Sequence, residues 1–120
     1  MTYTVNDSVL GEAVYSVWTQ ARENHERYSA TGSAEDDIRF LALGLVGEAG
    51  ELANFIKKRW RDGEDHAEDI RKEIADVLAY AFMLADRMGM GPRDLINIVA
   101  EKQRVFIEKM QARDEARAAA

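Results

Sequence analysis

The sequence has no cysteine and only one proline, Pro92, in 120 residues. Without a thiol there is no disulfide, no thiolate nucleophile and no Cys-ligated zinc. With a single proline, little interrupts long helices. Histidine is scarce as well. His25 and His66 are the only two, and neither follows a Glu by three residues, so the Glu-x-x-His spacing of di-iron carboxylate bundles is missing. No apolar run approaches the roughly twenty residues that span a bilayer, and Met1 to Asp7 lacks the basic and apolar segments of a signal peptide. The expectation is a cytoplasmic protein with no membrane partner. Basic residues are outnumbered, 16 against 22 acids, for a formal charge of −6. That balance grips a nucleic-acid polymer poorly, but it does not exclude a single nucleotide whose charge is met by bound metal.

What is present reads as one α-helical domain. A hydrophobic share of 47% and a charged share of 32% are those of a globular chain, and 120 residues suffice for one core but not two. The domain is expected to span 1–120, with its packed part at about 7–111 and a polar, alanine-rich tail, Ala112 to Ala120, that frays. Helix one is expected from Asp7 or Ser8, with Leu10, Ala13, Val14, Val17, Trp18 and Ala21 on one face. Trp18 and Tyr15 read either as core or as a surface on which a base stacks. Ser33 and Asp36 form a candidate capping box for helix two, which runs to about Trp60. Gly44, Gly47 and Gly50 make a smooth strip along it for a close approach by another backbone or a ligand. Lys57, Lys58, Arg59 and Arg61 follow as a basic cluster, either a solvated helix end or a phosphate contact. Helix three is expected from about Glu64 or Asp65 to Met88, with Ile70, Ile74, Val77, Leu78, Ala81, Leu84, Ala85 and Met88 as its buried stripe. Pro92 suits the first position of helix four. No strand pattern appears, so the fold class is all-α, four helices with short connections.

Four acids carry the chemistry. Glu48 and Glu51 lie three residues apart, as do Glu73 and Asp76, so each pair sits on one helical face among apolar neighbours: Leu45, Val46 and Leu52 for the first, Ile74, Val77 and Leu78 for the second. None has a basic residue four positions later; Leu52, Phe55, Val77 and Tyr80 stand there. At about 5–6 Å and an effective dielectric near ~20, each pair repels by about 3 kcal/mol. A turn at Arg61 to Glu64 allows the helices to fold back and gather the acids, and a divalent cation is the simplest remedy for their repulsion. Oxygen-only ligation, with no Cys or His, points to a hard ion, Mg²⁺ or Mn²⁺. The bland alternative is a helical interaction module whose acids are solvated surface.

The pattern Glu48-x-x-Glu51, 21 intervening residues, Glu73-x-x-Asp76 resembles the signature of the all-α nucleoside triphosphate pyrophosphohydrolases. That superfamily includes MazG, the dimeric dUTPases, the dCTP pyrophosphatases and phosphoribosyl-ATP pyrophosphatase. The segments Ala42 to Ala53 and Glu73 to Tyr80 are most similar to the MazG-like and dCTP-pyrophosphatase branch, and the likeness covers roughly 38–106. Gly47 stands where MazG members often have a further acid, and no Asn falls within Val99 to Arg104, where the family has an Asn and a Lys on its last helix. Trp60 lies two residues beyond the tryptophan position of the dCTP-type enzymes.

The resemblance implies a four-helix MazG-like bundle assembled as a homodimer or homotetramer, with pockets at subunit contacts. It implies Mg²⁺-dependent hydrolysis of a (deoxy)nucleoside triphosphate to the monophosphate and pyrophosphate. Glu48, Glu51, Glu73 and Asp76 would hold metal, with Glu48 or Glu51 orienting the attacking water. Lys102 matches the triphosphate-binding Lys best, with Gln103 in the place of the Asn. Arg104 and Lys57 are further phosphate candidates, and Tyr80 and Trp18 are candidates for the nucleoside.

Overall fold

A computed structural model describes residues 9–120, so the expected helix start at Asp7 or Ser8 lies outside the described residues. Four helices follow in order: α1 (Val9–Tyr28), α2 (Ala34–Asp62), α3 (Ala67–Arg87) and α4 (Pro92–Ala119). α2 packs most extensively on α3, α1 lies against α3, and α4 finds its main neighbour in α1. The all-α, four-helix architecture is therefore as the sequence pattern requires.

The helix ends show which residues stop and start each rod. Ser33 Oγ caps α2 by accepting from the Asp36 N–H at 3.3 Å. The capping box is only half formed, because the Ser33 N–H donates to Thr31 Oγ1 at 3.2 Å while Asp36 pairs with Arg39 at 3.4 Å. α2 ends at Gly63, whose φ of 72° is the left-handed conformation that glycine adopts without a Cβ clash. α3 begins at Ala67, later than expected, because His66 takes a left-handed φ of 49° and keeps the preceding residues out of the helix. Pro92 occupies the first turn of α4, and the Asp94 carboxylate accepts the Gly91 N–H at 2.9 Å. α4 then runs to Ala119, where the sequence suggested a frayed tail after about residue 111. Alanine is the strongest helix former, and nothing in 112–119 offers the chain an alternative.

The core lies between α1, α3 and the start of α4. Trp18, 3% exposed, packs on Phe82 with ring centroids 4.8 Å apart; Ala85 joins them, and Val14, Met90 and Leu95 close the cluster. Such an aromatic pair contributes about 0.5–1.5 kcal/mol beyond the area it buries. Several residues read as inward are not. Leu10 and Val17 on α1, Ile74 and Leu78 on α3, and Met88 just after α3 are at least half exposed in the single chain. The stripes on these helices are wider than one neighbour can cover.

A buried polar cluster ties the ends of three helices together. Asp37, 6% exposed, accepts from the Thr31 N–H and the Thr31 hydroxyl, both at 2.7 Å. Its other oxygen lies 3.8 Å from His25 Nε2 and 3.7 Å from Arg87 Nε. His25 Nδ1 is 2.7 Å from Ser29 Oγ. The Thr31 hydrogen bonds hold the Asp37 carboxyl below the usual carboxylate range, despite its burial, with His25 and Arg87 adding to the effect. Asp37 sits four residues before fully buried Leu41 on the same face of α2, so an acid at an otherwise apolar position was the one sequence signal of this cluster.

Candidate functional site

The α2–α3 hairpin fixes the geometry of the acids. The helices run antiparallel, with Gly44 of α2 against Tyr80 of α3 and, one turn further along, Glu48 of α2 against Glu73 and Asp76 of α3. One carboxylate oxygen from each of Glu48, Glu73 and Asp76 falls within 4.8 Å of the others. No other group of three His, Asp or Glu side chains converges so closely among the described residues.

Burial makes this convergence costly. Glu48 Oε2 and Glu73 Oε2 are both shut off from solvent with no hydrogen-bond donor to meet them. None of Glu48, Glu51, Glu73 or Asp76 forms an ion pair among the described residues. Two ionised carboxylates have only acceptors to offer each other, so they meet by sharing a proton or a cation. The Glu48 carboxyl accordingly rises to about 7, first because holding a proton lets it donate to the facing Glu73 carboxylate, then through burial, then through the charges of Glu51, Asp76 and Glu73. Glu51 is exposed and stands outside the three-oxygen group, yet is close enough for Glu48 to feel its charge. Of the four acids expected to converge, three bring an oxygen within 4.8 Å of one another and Glu51 stands beside them.

These donors fit a hard divalent cation. They are all oxygens, two are buried without a partner, and their spread is compatible with ligation of one ion at about 2.0–2.6 Å per bond. A softer metal would want the imidazole or thiolate that the cluster lacks.

The other candidates fare unevenly. Tyr80 is half-buried and stands one turn from Asp76 on the same face of α3, next to the acids. Trp18 is not a base-stacking surface, because its ring is enclosed against Phe82 in the core. Lys57 is nine residues from Glu48, which places it about 180° around α2, facing away from the acids. Arg104 is held by Glu101 and Glu108 on its own helix. Lys102 lies in a groove on α4 with Glu101, Val105, Phe106 and Lys109. Since α4 packs chiefly on α1, the fold of one chain does not lay Lys102 or Arg104 along the acid-bearing hairpin.

Among the helix-two glycines, only Gly44 meets a neighbouring helix; a Cβ on Gly47 or Gly50 would have nothing within 4 Å. The contact of Gly44 with Tyr80 was not read from the sequence. Its signal was a glycine one turn before Glu48 paired with an aromatic one turn after Asp76.

A family model described as the MazG-like family matches residues 40–117, a span that contains all four acids, α3 and all but the first turns of α2. The chain belongs to the MazG-like family. It is also similar to the Gene 37 protein of Mycobacterium phage L5, 30% identical over 93 residues, an alignment covering 68% of this chain and 82% of that protein. No solved structure matches. No helix among the described residues is long and apolar enough to cross a membrane.

Proposed function

We propose that this MazG-like protein hydrolyses a (deoxy)nucleoside triphosphate between the α and β phosphates, yielding the monophosphate and pyrophosphate. Family membership makes this class of activity the natural expectation. The observation that carries the reading is the buried, donor-less meeting of Glu48 and Glu73 with Asp76 beside them. Such a group is poorly stable by itself and well suited to Mg²⁺, with Mn²⁺ as a substitute.

In this reading Glu48, Glu73 and Asp76 hold the metal. When bound, the ion supplies neutralisation of phosphate charge and acidification of water. Glu51, exposed and one turn from Glu48, orients the attacking water and accepts its proton. Tyr80 lines the nucleoside side of the hairpin. Lys102 is the candidate for the pyrophosphate end, and it reaches that end from the α4 of a second copy rather than from its own.

The assembly is part of the proposal. The radius of gyration, 18.1 Å, exceeds the roughly 14 Å of a globular chain this long. On α2, Val46, Ala49, Ala53, Ile56 and Trp60 recur at alternating spacings of three and four and all face outward, with Val46 69% and Trp60 87% exposed. That is the seam pattern of a helix that packs on another. A homodimer or homotetramer in which these seams meet covers them.

A panel of ribo- and deoxyribonucleoside triphosphates, incubated with Mg²⁺ and assayed for pyrophosphate, tests the function. Release of pyrophosphate that stops with a chelator supports it; no metal-dependent release from any triphosphate sinks it.

A further inference from the structure

A Cβ placed on Gly44 would overlap Tyr80 Cε1 and lie 2.7 Å from Cδ1 and 2.8 Å from Cζ. These separations are far inside van der Waals contact, so the tyrosine ring rests directly on the backbone of α2, in space that any other residue would fill. Glycine is a poor helix former, and α2 carries it here in mid-helix. The close approach is confined to this position: Gly47 and Gly50, further along α2, have nothing within 4 Å of their Cβ positions. The contact lies one turn from Glu48 along α2 and one turn from Asp76 along α3, so the ring forms the layer of the hairpin next to the acid cluster.

From this juxtaposition we infer that Gly44 is a positioning residue for substrate: by leaving room for the Tyr80 ring against α2, it sets where the nucleoside sits relative to Glu48, Glu73 and Asp76. The inference rests on the pyrophosphohydrolase reading above and names a specificity determinant within it. A ring braced on backbone cannot swing toward α2, so its distance from the acids is fixed. A methyl group at position 44 lifts the ring off the helix and shifts the nucleoside surface. The acids, one turn away, stay where they are.

The test is a double-mutant cycle with Gly44→Ala, Tyr80→Ala and the two combined. Mn²⁺ affinity is measured by titration calorimetry without nucleotide, and KM and kcat with the best triphosphate of the panel. Gly44→Ala is expected to raise KM by about tenfold with kcat within about twofold and Mn²⁺ affinity unchanged. In the Tyr80→Ala background the same substitution is expected to change neither constant, since the overlap is gone. The combined variant also keeps the test meaningful should Gly44→Ala alone fold poorly. A fall in kcat at constant KM would mark a merely structural glycine and overturn the inference. So would an equal effect of Gly44→Ala in both backgrounds. Absence of any turnover by the unsubstituted protein would instead overturn the pyrophosphohydrolase reading, and this role with it.

Discussion

Glu48 is the residue on which solution behaviour turns. Its carboxyl rises to about 7 because a proton on it can be donated to Glu73, because it is partly buried and because it faces other acids. The folded protein therefore keeps a proton that the unfolded chain releases near the ordinary value of 4.5. A raised carboxyl pKa contributes stability that is present below the unfolded value and is lost as pH rises through the folded one. The metal-free protein should thus lose thermal stability between about pH 5 and pH 8. Mg²⁺ or Mn²⁺ should restore it at pH 8, where the cation replaces the proton. Calorimetric scans across that range check this, and Glu48→Gln should flatten the slope; a Tm that rises with pH through 7 without metal would contradict it.

The two kinds of acid should also separate. Glu73→Gln removes a member of the three-oxygen group and should weaken Mn²⁺ binding by about tenfold or more. Glu51→Gln should leave that affinity nearly intact while lowering kcat by about 10²-fold or more, the usual contribution of a positioned base. Equal loss of metal binding in both variants would return Glu51 to the ligand set.

At the scale of elements, the hairpin turn is what brings the acids together. Gly63, at φ 72°, stops α2 where the chain reverses into α3. Gly63→Ala forces a Cβ into the left-handed region and should cost about 1–2 kcal/mol in urea unfolding. The four helices were legible from apolar periodicity, from the glycine and proline breaks, and from Ser33. Their ends were less so. His66 holds a left-handed conformation that nothing in its residue type demands, and it stands 2.8 Å from Glu64 and 3.6 Å from Asp69, partners that only the folded turn supplies. At the end of α4 two sequence signals compete: polarity suggests fraying, while alanine propensity favours the helix that runs to Ala119.

At the scale of the whole molecule, the acids were legible because spacing alone puts each pair on one face. Where Lys102 and Arg104 lie relative to the acids was not, because that depends on how α4 docks, and helix docking is not written in periodicity. Trp18 shows the same limit: an aromatic on a helix looks alike whether it meets a base or Phe82. The exposed seam on α2 and the extended shape predict an oligomer at micromolar concentration by light scattering. Val46→Lys, at an exposed position of the α2 seam that a single folded chain tolerates, should shift the protein toward monomer and lower turnover with it. A fully active monomer would contradict the shared site.

The most direct measurement follows the oxygen of the attacking water. If Tyr80 holds the nucleoside and the acids lie one turn further along the hairpin, attack falls on the α-phosphorus and pyrophosphate departs. Turnover in H₂¹⁸O should then place the label in the nucleoside monophosphate and leave pyrophosphate unlabelled. Label in pyrophosphate would mean attack at the β-phosphorus, and release of orthophosphate with a diphosphate would mean a different phosphohydrolase; either result contradicts the account.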